Sequence, residues 1–213
     1  SIKIVEKYSG TIEKIRDGDD IIIVAYDSQE QKENYTIDIK IPCFNINTDA
    51  AKKYNQQIRA LFKEKSENVM SSNSQKNVIY NVKYKAYEKN NILSLVILSE
   101  LKEGDSSERI IIQTYNYDLK TNKEVTISDM LNLKNINTAD ANNTIKNEIN
   151  SAQEQNIKLS ELGYNVDIRD VESSEYKIEN AKEFFIGENG YLYVVYAYGN
   201  ESFTSETDVV IFR

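Results

Sequence analysis

Three carboxylates crowd a single glycine in Arg16-Asp17-Gly18-Asp19-Asp20. Closely spaced carboxylates are what a calcium loop uses, but such a loop runs over roughly twelve residues and closes on a glutamate. The rest of that pattern is missing here, so a tight turn is the better reading. Cys43 follows Pro42 at the end of an apolar stretch, and it is the only cysteine. No intrachain disulfide can form. The chain contains no histidine, so no imidazole is present to activate the thiol, and a buried structural cysteine is expected. The same absence removes histidine-liganded zinc, Ser-His-Asp catalysis and imidazole acid–base work. Carboxylate and lysine chemistry remain possible. No phosphate loop, dinucleotide fingerprint or metal-ligand array stands in the sequence. The residues therefore predict a protein that is not an enzyme and needs no cofactor or metal. Asn34-Tyr35-Thr36 and Asn200-Glu201-Ser202 match a glycosylation acceptor pattern, which chance explains in a chain so rich in Asn and Ser.

Charge narrows the partners. Lys and Arg number 26 against 34 Asp and Glu, a formal charge of −8. Nucleic-acid binding needs a basic footprint and is disfavoured, as is docking on anionic lipid. A cationic protein partner is favoured, because the field of the chain would steer its encounter; solubility alone also accounts for the charge. No run approaches the roughly 18 apolar residues of a membrane helix, and no signal peptide is visible. The usage of Asn, Lys and Ile, the absence of Trp and the lone Pro42 lean bacterial.

These residues need a scaffold, and 213 residues at 40% hydrophobic suffice for one large domain or two small lobes. Short strands are predicted over 2–8 and 11–16, then a turn at 16–20 and a strand over 21–26. Tyr35, Ile37, Ile39 and Ile41 alternate with Thr36, Asp38 and Lys40 in a strand that Pro42 ends. Asn47 or Thr48 caps an amphipathic helix whose stripe is Ala51, Tyr54, Ile58, Leu61, Phe62 and Val69. Alternation in 78–86, Asn90-Asn91 and an apolar return over 92–101 make a hairpin, and 109–119 is a third long strand, in the simplest case of a meander. Ser128 caps a short turn. Ala141, Ile145, Ile149 and Ala152 mark a second amphipathic helix, and 156–179 is ambiguous. Residues 187–190 turn into a central strand over 191–198, and 208–212 is the last strand. The predicted fold is α+β, mainly antiparallel sheet with two amphipathic helices, in an N-terminal lobe of residues 1–101 and a C-terminal lobe of residues 102–213 packed as one unit.

Tyrosine is abundant, with 15 copies. Tyr80, Tyr84, Tyr191 and Tyr193 sit in alternating strand patterns and read as packing residues. Between the last two predicted strands lies a polar segment, GNESFTSETD, with one phenylalanine. Tyr198 at its border and Phe203 inside it are the better candidates for exposed contact residues. A solvated loop with Phe203 buried is the competing reading.

Three phrases resemble a known family. They are IPCFNINTDAAKKYNQQIRALF, with an Asn-x-x-Ile element at Asn55 and Ile58, YNYDLKTNKEVTISDML, and the closing FFIGENGYLYVVYAYGNESFTSETDVVIFR. Together they resemble the extracellular domain pair of RsiV-type anti-sigma factors, which also flanks the catalytic domain of PdaC-type peptidoglycan deacetylases. The sequence departs from the pattern at Asn122, where glycine is usual, and at Ser202-Phe203 and Ser205-Glu206, where Pro-aromatic and a glycine are usual. The resemblance implies an extracytoplasmic sensor of cell-envelope stress that binds host lysozyme and so triggers proteolysis and release of a sigma factor. It implies a home on the extracellular face of a bacterial membrane, with the single-pass anchor and the sigma-binding cytoplasmic tail outside these 213 residues. Partner contacts would then fall on Tyr198, Asn200, Glu201, Ser202, Phe203, Thr204 and Ser205. The alternative is a cell-wall glycan-binding accessory module of a peptidoglycan-modifying protein.

Overall fold

A computed structural model describes residues 13–18, 20–72, 77–198 and 206–213. Its first sheet has six strands in the order β1-β2-β3-β4-β5-β6: β1 (Ile22–Gln31), β2 (Tyr35–Phe44), β3 (Val78–Lys89), β4 (Ile92–Glu103), β5 (Arg109–Asp118) and β6 (Lys123–Glu124). The second sheet is β7 (Glu183–Ile186), β8 (Leu192–Ala197) and β9 (Thr207–Phe212), with β8 central. The α+β class with mainly antiparallel pairing holds. The meander expected of 78–86, 92–101 and 109–119 is formed by β3, β4 and β5, while β2 and β3 run parallel, because the long helix between them carries the chain back to the starting edge. The first sheet takes strands from both sides of residue 101, since β5 follows β4 in it. No helix among the described residues is long and apolar enough to cross a membrane.

The helix between β2 and β3 consists of α1 (Asp49–Ile58), a π-helical turn (Arg59–Lys63) and α2 (Glu64–Ser71). Thr48 caps it, its hydroxyl accepting from the Ala51 amide. Ala51, Tyr54, Ile58, Phe62 and Val69 are buried as the stripe predicts, but Leu61 is 43% exposed. The wider π turn rotates the helix, so the stripe passes from Ile58 to Phe62 and leaves Leu61 in solvent. The stripe packs on Ile37, Ile39 and Ile41 of β2, Tyr80 and Val82 of β3, and Leu93, Leu95 and Ile97 of β4. Each such side chain contributes roughly 1.5–3 kcal/mol relative to exposure. Asn55 and Ile58 have separate tasks. Ile58 is in the core, while Asn55 donates to the Phe44 carbonyl at 2.9 Å and accepts from the Phe44 amide at 2.7 Å. It thus serves as a strand partner for the end of β2.

Several local expectations resolve in detail. Strand β2 does not stop at Pro42 but runs on to Phe44. Pro42 lies opposite Val24 beside a bulge, beyond the last residue paired with β3, where a missing donor is tolerated. Asn90 and Asn91 both take positive φ, 51° and 68°, and form the hairpin turn. Asn122 takes φ 58° in the turn before β6. The third helix, α3 (Ile127–Lys134), is capped by Thr126, not Ser128, in a reciprocal box with Asp129. The fourth, α4 (Thr138–Glu161), continues well past the predicted stripe. Asp17 and Gly18 lie in a bend, with Gly18 at φ 119°. Buried Asn45 holds this bend, accepting from the Ile15 and Arg16 amides and donating to the Arg16 and Asp20 carbonyls. Residues 14–16, expected as strand, are irregular, and the strand expected over 2–8 lies outside the described residues. Cys43 is half-buried, and burial pushes its thiol up.

The two sheets join through side chains. The outer edge of β7 lies on the first sheet, where Ser94 accepts from the Ile186 amide, Asn116 donates to the Phe184 carbonyl and Thr114 accepts from the Phe184 amide. Ser94 also donates to Asn116 at 2.6 Å. This polar seam gives the β7 edge its missing ladder partners, which buried backbone requires. Beyond the seam, Ile145 and Ile149 of α4 and Met130 of α3 pack on Leu192, Val194 and Val210 to form a second core. On the opposite face of the second sheet, Phe185 stacks between Tyr87 and Tyr193, with ring centres 5.7 and 4.8 Å apart. A Cβ at Gly187 would meet the Tyr193 ring at 2.7 Å, so only glycine leaves room for that stack.

Candidate functional site

The polar segment between the last two strands is anchored at both ends. Tyr198 follows β8, and its amide donates to the Glu206 carbonyl at 3.2 Å, closing the base of the connection. Below this base lies a buried arginine. The Arg169 side chain is 3% exposed, and its guanidinium grips Asp208 of β9 with two hydrogen bonds, Nε to Oδ2 at 2.5 Å and Nη2 to Oδ1 at 3.0 Å. Burial works against the Arg169 charge, but the hydrogen bonds and charge of Asp208 outweigh it, so the guanidinium is held more firmly protonated than usual. Arg169 reaches this position because its own amide donates to Gln153 on α4.

Glu206 is fixed from the other side. It accepts from the Asn156 side chain at 2.7 Å and from the Asp167 amide at 2.6 Å, with Arg169 Nη2 3.6 Å away. Asn156 also donates to the Asp167 carbonyl, which explains why this polar helix residue is buried. Burial pushes the Asp167 carboxyl up, with Glu206 adding to the effect.

Tyr198 belongs to the same cluster. Its hydroxyl donates to Asp208 Oδ2 at 2.8 Å and shares a 2.7 Å hydrogen bond with Tyr176, and the Arg169 guanidinium lies 5.3 Å from its ring centre. Burial, reinforced by the Tyr176 hydrogen bond and the Asp208 charge, raises its phenol above the ordinary value. The sequence predicts Tyr198 as an exposed contact residue. The residue is half-buried, its hydroxyl is bonded to Tyr176 and Asp208, and it fastens one end of the segment. Asn200, Glu201, Ser202, Phe203, Thr204 and Ser205 lie outside the described residues.

Sequence reasoning missed Arg169, Asn156 and Asp208 as a group, because they are scattered over 53 positions (156 to 208). The one available signal was a lone arginine amid the carboxylates Asp167, Asp170 and Glu172, in a stretch with no periodicity. It also missed Glu183, which accepts two hydrogen bonds from Thr114, from the amide at 2.6 Å and from the hydroxyl at 2.8 Å. Burial pushes the Glu183 carboxyl up to about 7, against the pull of both bonds. Among the described residues no group of three or more acidic or cysteine side chains is arranged to hold a metal ion.

No family model matches the sequence, and no curated protein matches it. The fold is similar to solved structures of DUF3298 family proteins. One, from Pseudomonas aeruginosa PAO1, aligns over 90% of this chain and 86% of its own at 10% identity and a TM-score of 0.49. Another, from Bacteroides fragilis NCTC 9343, aligns over 84% of this chain and 80% of its own at 12% identity and a TM-score of 0.42.

Proposed function

We propose that this chain is the extracytoplasmic sensor domain of an anti-sigma factor, that it recognises host lysozyme through the segment between β8 and β9, and that it has no catalytic activity of its own. The observation that carries the reading is the Arg169 clamp. It fixes Tyr198 at one end of the segment and Glu206 and Asp208 at the other, so that the residues between start and finish at rigid positions. A recognition loop gains affinity from such a base, because less conformational freedom is lost on binding. The resemblance of the closing phrase to RsiV-type domains supports the same place, and the charge of −8 suits a basic partner. The membrane anchor and the sigma-binding tail would belong to other parts of the protein.

Titration of the purified chain with lysozyme and, in parallel, with soluble peptidoglycan fragments tests this. Nanomolar binding to lysozyme with none to the glycan is expected. Binding to the glycan alone would replace the sensor reading with that of a cell-wall module.

A further inference from the structure

Among the described residues, strand β5 has an open edge. It pairs with β4 along its whole length, but on its other side β6 pairs only with Tyr117 and Asp118. The Thr114 amide leaves that outer side to reach Glu183 Oε2. Alternation along an antiparallel strand then sends the amides and carbonyls of Ile110 and Ile112 the same way, and among the described residues no backbone group meets them. Edges are ordinarily blunted by lysine, proline or a bulge. This one reads Ile110-Ile111-Ile112, all half-buried, in unbroken register with β4.

Beside the edge lies a cavity of about 280 Å3, where Ile112 faces Glu183 of β7 and Val195 and Ala197 of β8. Val209, paired with Val195, extends this apolar wall and is 45% exposed. Both Thr114 hydrogen bonds go to Glu183 Oε2, and Oε1 has no hydrogen-bond partner among the described residues. Glu175 adds a second carboxylate to the lining against a single Lys182. An added strand needs what this place provides, backbone groups at Ile110 and Ile112 that no described residue pairs with, for affinity, and a pocket to select one side chain. The unpaired carboxylate oxygen selects a cation.

We propose that the Ile110–Ile112 edge of β5 takes up an extended segment of a partner protein as an additional strand, and that a lysine or arginine of that segment enters the cavity to pair with Glu183 Oε1. This surface is separate from the segment between β8 and β9, and the proposal stands whether or not lysozyme is the partner.

A fluorescein-labelled hexapeptide of alternating valine and lysine is the probe. Saturable binding is expected, reduced at least tenfold when alternate peptide amides are N-methylated, since that change removes backbone donors and leaves the side chains. Ile112→Pro, which deletes one edge donor, should produce a similar loss. Glu183→Gln should erase the preference for lysine over norleucine in the probe. Hydrogen exchange at Ile110 and Ile112 should slow at least tenfold on binding, with Ile111 and Gln113 unchanged. Equal affinity for the N-methylated peptide, or unaltered exchange at Ile110 and Ile112, would overturn the proposal. So would sedimentation showing that the chain already dimerises and that Ile112→Pro abolishes the dimer, because the edge would then belong to a second copy.

Discussion

Arg169 holds Asp208 in a two-pronged grip, with Nε to Oδ2 at 2.5 Å and Nη2 to Oδ1 at 3.0 Å, inside a shell that leaves the arginine side chain 3% exposed. The pair joins the irregular chain after α4 to the last strand. Among the described residues, Arg169 is also the only cation within 4.0 Å of Glu206. Its energetic worth lies less in the pair itself than in the penalty for breaking it.

Arg169→Met keeps much of the side chain's bulk but leaves Asp208 and Glu206, both half-buried, without a counter-charge. The expected cost is about 3–5 kcal/mol of folding stability, read as a fall in the urea midpoint. Adding Asp208→Asn should recover part of that loss, since neighbours in one network do not add. Strict additivity of the two changes would show that the grip is not a coupled unit.

Glu183 gives the fold a pH dependence of unusual sign for a carboxylate. Its pKa is about 7 in the folded chain and near 4.5 when unfolded, so folding takes up a proton between those values. The associated stability is fully present below about 4.5 and is lost as the pH rises through about 7. Because Glu183 is half-buried, the effect should be on the order of 1–2 kcal/mol. Relative to Glu183→Gln, the wild-type chain should therefore lose ground from about pH 5 to about pH 8. A constant difference across that window would place the carboxyl near its ordinary value.

Much of the scaffold was legible in the sequence because local chemistry and tertiary need agree there. Asn90-Asn91 tolerates left-handed backbone, and a two-residue hairpin demands it. The Ala51, Tyr54, Ile58 stripe buries as its spacing requires. The readings that failed depend on partners distant in sequence. Leu61 fits a regular helix and is exposed only because a π turn intervenes. The parallel pairing of β2 with β3, on which the sequence offers no reading, is set by where the helix returns the chain. Of the candidate site, Tyr198 was found, but its internal partners were not, because Tyr176, Arg169 and Asp208 converge on it from distant parts of the sequence. Nothing in the sequence marks Glu183, because its burial comes from the docking of β7 on Thr114.

If the partner is a basic lysozyme, the association rate should fall as salt rises. Steering depends on the field around a chain of net charge −8, and added ions screen that field to about 8 Å at physiological ionic strength. Stopped-flow measurement at low and high salt reads the effect directly. A rate that is flat across the series would remove charge from the account of recognition, although the affinity could still rest on the loop.

Phe203 tests the segment itself. It is the one large apolar side chain between Tyr198 and Glu206, among residues that are comfortable in water. If it anchors in the lysozyme surface, Phe203→Ala should weaken binding by roughly 2 kcal/mol or more, about thirty-fold, and leave thermal unfolding nearly unchanged. If it packs inside the protein, the same substitution should cost roughly 3–5 kcal/mol of stability, with affinity preserved below the lowered melting temperature. The Arg169 clamp sharpens the comparison. Arg169→Met disturbs both ends of the segment while keeping Phe203, so under the anchoring reading it should also weaken binding. Affinity unchanged in both variants would mean that lysozyme, if it binds at all, does so elsewhere on the chain.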